Sequence, residues 1–213
     1  MIDDFSGRTV GDYLEALASA EPAPGGGSAV ALAGALAAAL AEMVCRLSIG
    51  RADAADADEE LRAALHAATE ARRRLLRLSA EDAAAYAAYV AATGLPKVTP
   101  EEKAARRSTV VAALRTAADV PSEIAAACFR VLETLTPIAR LGSIHVLSDV
   151  EVAAFLANAA IRGAIVNVRV NARLMRDRET AMSYLDRATE MEARVQFAAD
   201  GVLDLVRQRS GST

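Results

Sequence analysis

Residues 22–44 read PAPGGGSAVALAGALAAALAEMV, the segment most informative about the architecture of this chain. Three glycines follow a Pro-Ala-Pro run and lead into an alanine-rich segment with no charged residue before Glu42. Small residues recur in this segment at three- and four-residue spacing, at Gly27, Ala31, Gly34, Ala38 and Ala41. That spacing predicts a helix with one stripe almost free of side chains, against which other helices can pack closely. We therefore expect this helix at the centre of a bundle or across a subunit interface.

Helix start and stop signals continue along the whole chain. Thr9 and Thr99 each precede an acidic residue three positions later, as in N-terminal capping boxes, and Pro100 fits the first position of its helix. No alternating β-branched run with hairpin punctuation appears. The sequence therefore predicts an all-α helical bundle, organised as a single domain over residues 1–213. The predicted helices cover 9–21, 29–49 with Ser28 as cap, 56–93, a helix from Thr99, a further helix from Pro121 to Gly142 with a kink or break at Pro137, 148–175 with Ser148 as cap, and 177 to about 207.

The charge balance limits the classes of partner. The chain has 24 Lys and Arg against 28 Asp and Glu, a formal net charge of -4. This argues against a nucleic-acid binder, because such proteins use an excess of positive charge to neutralise phosphates. We expect a small molecule or another protein as partner, and no nucleic acid.

Other features indicate the compartment. Cys45 and Cys128 are far apart in apolar surroundings, which is typical of buried free thiols in a reducing compartment. The first residues, MIDDFSGRTV, lack the basic and apolar regions of a secretory signal. We expect a cytoplasmic protein. Residues 23–41 are uncharged over nearly the length of a membrane span, but they are only weakly hydrophobic and Glu42 and Arg46 follow closely, so no membrane insertion is expected.

The glycine run, residues 25–28, is the first candidate for binding. A helix that starts there would offer free backbone N–H groups and its positive dipole end to an anion or to the polar edge of a ring. No Lys-Ser/Thr pair follows the glycines and no strand precedes them, so the run is not a Walker loop. The alternative is a flexible turn with Ser28 as the helix cap.

The second candidate centres on an acidic residue. Asp82, Tyr86 and Tyr89 are spaced by four and three and share a helix face. One acid and two aromatic rings on one face suit a flat, cationic ligand. The alternative is that Ser79 and Asp82 form a capping box where a helix restarts, with the tyrosines partly buried.

The third candidate is a row of polar residues on an apolar helix. Gly163, Asn167 and Asn171 fall every four residues, and buried amides need partners that a bound heterocycle could supply. Asp149 shares their helix face, but at 1.5 Å per residue it lies about 27 Å from Asn167, too far to touch the same small ring in one subunit. Its alternative role is that of an acidic residue in the first helical turn.

The remaining polar residues carry weaker signals. The arginines at 72, 73, 74 and 77 fit a solvated face or a site for a carboxylate tail. His145 is a candidate proton carrier, whereas His66 fits a surface position. Two histidines and two cysteines without ligand spacing argue against zinc, and no metal is expected.

Four stretches of the sequence, taken in order, resemble the cyclodeaminase/cyclohydrolase family, which includes the C-terminal domain of formiminotransferase-cyclodeaminase. They are residues 22–44, EDAAAYAAYVAATGLPK at 81–97 with TPEEKAAR at 99–106, AADVPSEIA at 117–125, and SDVEVAAFLANAAIRGAIVNVRVN at 148–171. The resemblance implies an all-helical homodimer that acts on one-carbon derivatives of tetrahydrofolate, polyglutamylated or not, without a permanently bound cofactor.

The resemblance also assigns residues by position. It places Asp82 in catalysis, and it gives substrate binding to Gly25, Gly26, Gly27, Ser28, Tyr86, Lys97, Asp149, Asn167 and Asn171. A pterin ring would suit the amides and backbone N–H groups, a glutamate tail would suit Lys97 or arginines, and a dimer could combine motifs from two subunits. Ser143 and His145 stand where the family pattern has an asparagine-rich loop, a departure that bears on the exact reaction.

Two reactions fit this resemblance. A cyclohydrolase opens the 5,10-methenyl bridge with water to give 10-formyl-tetrahydrofolate, whereas a cyclodeaminase forms that bridge from the 5-formimidoyl compound and releases ammonia. No transferase segment that would supply a formimino substrate is part of this sequence, which favours the cyclohydrolase. The alternative outside catalysis is an inactive, dimeric helical scaffold.

Overall fold

The computed structural model describes residue 7, residues 9–50 and residues 55–211. Within these ranges the chain is helical and contains no strand, so the all-α prediction is confirmed for the part described. Its elements are α1 (Val10–Ala18), α2 (Gly26–Ser48), α3 (Ala55–Thr93), α4 (Pro100–Leu141), a 3-10 turn (Ile144–Val146), α5 (Leu147–Leu174) and α6 (Arg178–Ser210).

Helix α2 lies at the centre of the bundle, as its small-residue stripe predicts. It packs against α3, α4 and α5. A Cβ atom added to Gly34 would lie 2.3 Å from Sγ of Cys128 on α4 and 3.2 Å from Leu75 on α3. On α5, a Cβ at Gly163 would lie 2.5 Å from Val30 of α2. Glycines at these positions therefore let three helices approach α2 more closely than any side chain permits.

Helix α4 differs from its prediction because it runs without interruption through Pro121 and Pro137. Proline lacks the N–H that would bond the carbonyl four residues earlier. For Pro121 that carbonyl belongs to Ala117, and Nδ2 of Asn171 on α5 donates to it at 2.6 Å. A side chain from a neighbouring helix thus replaces the missing backbone bond, and the predicted helix start at Pro121 is wrong.

The helix starts agree with the sequence at two positions and differ at another. Thr9 and Thr99 form complete capping boxes, as predicted. Helix α5 begins at Leu147 with no side-chain cap, so the predicted cap at Ser148 is wrong. The 3-10 turn leads directly into α5, which places Ser148 inside the first turn.

Two segments are long and apolar enough, by length and composition alone, to cross a membrane: α2 and the stretch Ile144–Leu174. In the most apolar 18-residue part of each segment, 56% of α2 and 39% of the stretch Ile144–Leu174 are buried inside the protein. Apolar side chains that stay exposed recur at helical spacing on both helices, which pack side by side. We call these residues the α2–α5 apolar face: Leu36, Met43, Leu47, Val152, Phe155, Val166, Val170 and Leu174.

Candidate active site

A cavity of about 310 Å³ lies where the first turn of α2 meets α3, α4 and α5. It contains all three polar motifs that the sequence singled out: the glycine run, the acidic face of α3 and the amides of α5. The site residues expected from the sequence that line it are Gly25, Gly26, Gly27, Asp82, Tyr86, Asn167 and Asn171.

The Asp82 carboxylate on α3 lies directly against the first turn of α2. A Cβ atom at Gly27 would lie 2.1 Å from its Oδ1, so only glycine leaves room for the carboxylate. The backbone N–H of Ser28 donates a hydrogen bond to Asp82. Asp82 therefore caps α2 from another helix, with its negative charge at the positive end of the helix dipole.

This arrangement corrects two alternatives. Helix α2 begins at Gly26, and its N-cap residue is Gly25, which has no side chain to form a cap hydrogen bond. Ser28 lies inside the first turn of the helix, so it is not the cap. Helix α3 is continuous through Ser79 and Asp82, so these two residues form no capping box at a helix restart.

The environment of Asp82 suits proton transfer. Burial raises the pKa of its carboxyl above the ordinary value of 3.8, and the hydrogen bond from Ser28 opposes this rise. Burial disfavours the charged form, because the cavity solvates it less well than water does. A carboxyl whose pKa is moved toward neutral pH in a ligand-sized cavity is a candidate general acid or base.

Ser28 itself does not line the cavity, contrary to its predicted role as a substrate-binding side chain. It is fully buried, with Oγ 3.1 Å from the hydroxyl of Tyr13 and 2.7 Å from Oγ of Ser79. Tyr13 and Ser79 were missed as members of the site. The position of Ser79, one turn before Asp82, is the signal that could have identified it.

The two asparagines present acceptors to the cavity. Nδ2 of Asn167 donates to the carbonyl of Gly163 at 2.9 Å, and Nδ2 of Asn171 donates to the carbonyl of Ala117. Each amide nitrogen thus donates one N–H to the backbone, and among the described residues neither side-chain oxygen accepts a hydrogen bond. A ligand that binds both oxygens must offer N–H or O–H donors.

Further contacts are available around these acceptors. The backbone N–H groups of Gly26 and Gly27 have no hydrogen-bond acceptor in the ranges that the structure describes, as expected for a helix start. Tyr86 lines the cavity with 43% of its surface exposed, so its ring can cover a flat ligand. Tyr89 lines the same wall and is half-buried.

Lys97 lies outside this cavity, in an adjoining groove of about 290 Å³. Leu174 lines both spaces, which places the groove next to the cavity. The floor of the groove is apolar, and its cations are Lys97, Lys103, Arg106, Arg107, Arg115 and Arg176. The groove therefore suits an extended anion that has apolar as well as charged parts.

Other candidate residues lie away from the cavity. Asp149 is half-buried at the start of α5 and His145 is exposed in the 3-10 turn, whereas the cavity lies near the other end of α5. In the arginine run, Arg72 pairs with Glu42 at 2.5 Å and Arg74 joins α3 to α4 through Glu123 at 2.6 Å. These two arginines are thus structural.

The two cysteines do not line the cavity. Cys45 and Cys128 are buried free thiols, as predicted, and burial raises the pKa of each to about 12. In the described ranges no three His, Cys, Asp or Glu side chains lie close enough together to hold a metal ion.

The fold and the cavity together define an all-helical protein with one carboxylate and two side-chain amides around a ligand-sized cavity, in the part of the chain that is described. A family model described as formiminotransferase-cyclodeaminase matches residues 9–190. The chain belongs to this family.

Three similar proteins show which members of the family this chain resembles. It is 37% identical to a methenyltetrahydrofolate cyclohydrolase of Methylorubrum extorquens, over 95% of this chain and 97% of that protein. It is 30% identical to a formimidoyltransferase-cyclodeaminase of Gallus gallus, over 95% of this chain but 37% of that protein. A crystal structure of formiminotetrahydrofolate cyclodeaminase from Thermotoga maritima superposes with a TM-score of 0.85 at 26% identity, over 95% of this chain and 98% of that one.

Proposed function

We propose that this protein is a folate one-carbon enzyme, a 5,10-methenyltetrahydrofolate cyclohydrolase that yields 10-formyltetrahydrofolate. The observation that carries the proposal is the half-buried Asp82 carboxylate, which lies against Gly27 in a ligand-sized cavity that Asn167 and Asn171 also line. The full-length similarity to a cyclohydrolase supports this reaction.

Asp82 supplies the acid–base chemistry. The methenyl bridge is an amidinium-like cation, which the carboxylate stabilises by its charge. Water adds to the bridge carbon while Asp82 accepts one of its protons, and a tetrahedral carbon bonded to N5 and N10 forms. The proton then passes to N5 as the N5–carbon bond breaks, the hydroxyl of the tetrahedral carbon releases its proton to solvent as the C=O bond forms, and the formyl group stays on N10.

The cavity wall suits the pterin part of the substrate. A reduced pterin carries ring N–H groups and an exocyclic amine, which are donors for the side-chain oxygens of Asn167 and Asn171. Its carbonyl oxygen is an acceptor for the backbone N–H groups of Gly26 and Gly27. Tyr86 covers the ring face.

The adjoining groove suits the glutamate tail, including a polyglutamate tail. Lys97, Lys103, Arg107 and Arg176 form no ion pair in the part of the chain described, so their charges are available to carboxylates. The double variant Lys103→Gln/Arg107→Gln is expected to raise KM for a pentaglutamyl substrate more than for a monoglutamate. Arg62→Gln/Arg73→Gln on α3 removes the same charge elsewhere and is the matched control. Equal KM changes for both substrates would contradict a tail site.

The α2–α5 apolar face supports a homodimer. Exposed large apolar side chains on two adjacent helices fit a surface that a second copy would bury. Phe155→Glu should shift sedimentation from dimer to monomer, whereas Phe197→Glu on α6, also exposed, should not. A wild-type monomer that needs detergent to stay in solution would instead favour a membrane contact.

We also propose a cytoplasmic location and no permanently bound cofactor. Two buried free thiols fit the reducing cytoplasm, and the reaction needs no permanently bound cofactor. A single domain over residues 1–213 would carry the whole site, whose lining comes from the segment before α2 and from α2, α3, α4 and α5.

The alternative reaction is the cyclodeaminase. It uses the same tetrahedral carbon, and the fold match to a cyclodeaminase supports it. The purified protein should speed the loss of the 5,10-methenyl chromophore; release of ammonia from 5-formimidoyltetrahydrofolate without that activity would favour the alternative. Failure of both, together with no saturable folate binding, would favour the inactive scaffold.

A further inference from the structure

A chain of three buried hydroxyls lies behind the Asp82 carboxylate. The Tyr13 hydroxyl is 3.1 Å from Oγ of Ser28, which in turn is 2.7 Å from Oγ of Ser79. Their residues are 4%, 0% and 2% exposed, so water does not compete for these bonds. The chain of hydroxyls links α1, the first turn of α2 and α3.

Ser28 is fixed at two points by this arrangement. Its side chain is held by Tyr13 and Ser79, and its backbone N–H donates to Asp82. Ser79 lies three residues before Asp82 on the same helix. Ser28 is therefore held through its side chain by the two other hydroxyls and through its backbone N–H by the carboxylate. A small shift of Ser28 would therefore change the direction of the N–H that the carboxylate accepts.

Tyr13 also attaches α1 to the first turn of α2. It is the one buried residue among the nine of this helix, whereas Val10 and Leu14 are 74% and 55% exposed. The loop after α1 contributes Pro22 and Ala23 to the cavity wall. The hydroxyl of Tyr13 is thus the polar anchor of the segment that leads into the glycine run.

We propose that Tyr13, Ser28 and Ser79 are positioning residues, whose hydroxyls hold the first turn of α2 in one register with the Asp82 carboxylate. This role rests on Asp82 acting as the acid–base group of the proposed reaction. Buried hydroxyl networks of this kind fix geometry when every member has a partner.

The surroundings allow the effect on Asp82 to be isolated. The other ionisable groups that line the cavity are Tyr86 and Tyr89 on α3, and the lining residues from α2, α4 and α5 are uncharged. The neighbouring carboxylate, Glu81, is bound by Arg74 at 2.5 Å. A change in the titration of Asp82 therefore reports its hydrogen bonds and not a new neighbouring charge.

The test compares Tyr13→Phe and Ser79→Ala with wild type by a carbon-13 NMR titration of the Asp82 carboxyl and by the pH profile of kcat. Both variants should move the Asp82 titration upward, because the Ser28 N–H bond that favours its charged form weakens. They should also lower kcat about tenfold while KM stays within about twofold, because the carboxylate loses its alignment and the ligand contacts remain.

Ser48→Ala is the matched control. Ser48 is a buried serine at the other end of α2, where Oγ donates to the carbonyl of Val44 at 2.7 Å. Its loss should lower stability and leave both the titration and kcat unchanged. If Tyr13→Phe and Ser79→Ala behave like this control, the positioning role is overturned.

The NMR readout does not depend on turnover. A wild-type protein that is inactive on both folate substrates would end the proposed function, yet an upward shift in the two variants would still support the positioning role. If Ser79→Ala fails to fold, Tyr13→Phe alone decides, because it removes one hydroxyl and keeps the ring.

Discussion

Gly27 and Asp82 approach so closely that Gly27 has no room for a side chain: a Cβ atom there would lie 2.1 Å from Oδ1 and 2.5 Å from Oδ2 of the carboxylate. Gly27→Ala must therefore push the carboxylate away from the first turn of α2. We expect a fall in kcat/KM of about 100-fold, since misplacing a catalytic group by about 1 Å costs that much. Steady-state kinetics on the folded variant measure it.

Gly201→Ala is the control for this change. A Cβ there meets nothing within 4 Å, and the position lies inside α6. Alanine should raise stability by about 0.5–1 kcal/mol through its helix propensity and leave activity unchanged. Full activity in Gly27→Ala would show that the carboxylate does not need its present position.

The close approach of α2 and α4 gives a prediction for stability. A Cβ at Gly34 would lie 2.3 Å from Sγ of Cys128, which is fully buried. Gly34→Ala should destabilise the protein by about 1–3 kcal/mol through overpacking. Adding Cys128→Ala removes the clash, so the double variant should recover part of the loss in urea unfolding. Strictly additive effects would mean that the two residues do not meet.

The proline in α4 and the amide on α5 should be coupled. Asn171→Leu leaves the Ala117 carbonyl without its donor, and we expect a loss of about 1–3 kcal/mol. Pro121→Ala restores a backbone N–H that can bond the same carbonyl. The Asn171→Leu penalty should therefore be smaller in the Pro121→Ala background, and an equal penalty in both would refute this explanation of the uninterrupted helix.

The raised pKa of Asp82 predicts a pH dependence of stability. The folded state binds the Asp82 proton more tightly than the unfolded state, whose pKa is near 3.8, so this contribution is complete below that pH and is lost as pH rises through the folded-state pKa. Relative to wild type, Asp82→Asn should thus gain stability as pH rises from about 4 toward neutral. Carboxylates with lowered pKa values, such as Glu42 and Glu123, change stability with pH in the opposite direction. Their contribution is the same in wild type and in Asp82→Asn, so it cancels in the comparison. A pH-independent difference between the two would contradict the raised pKa.

Much of the fold could be predicted from local patterns. The small-residue stripe of α2 and the capping boxes at Thr9 and Thr99 depend on residues close in sequence, and the structure confirms them. The continuity of α4 could not be predicted, because the group that compensates Pro121 lies on α5, 50 residues later in number.

The candidate site, like the fold, could be predicted only where it depends on residues close in sequence. Glycine, acid and amide motifs could each be identified, since their residue types and spacing are unusual on apolar helices. Their grouping around one cavity depends on helix packing. Ser28 was misassigned because a serine at a helix start usually caps it, whereas here Asp82 occupies that role from α3 and the hydroxyl turns into the core.

The most direct measurement is the loss of 5,10-methenyltetrahydrofolate absorbance with wild type and with Asp82→Asn, both shown by circular dichroism to be folded. Asparagine keeps the size of the side chain and can still accept the Ser28 N–H bond, but it cannot carry the proton. We expect wild type to accelerate hydrolysis and kcat to fall at least about 100-fold in Asp82→Asn. Equal rates for the two proteins would contradict it.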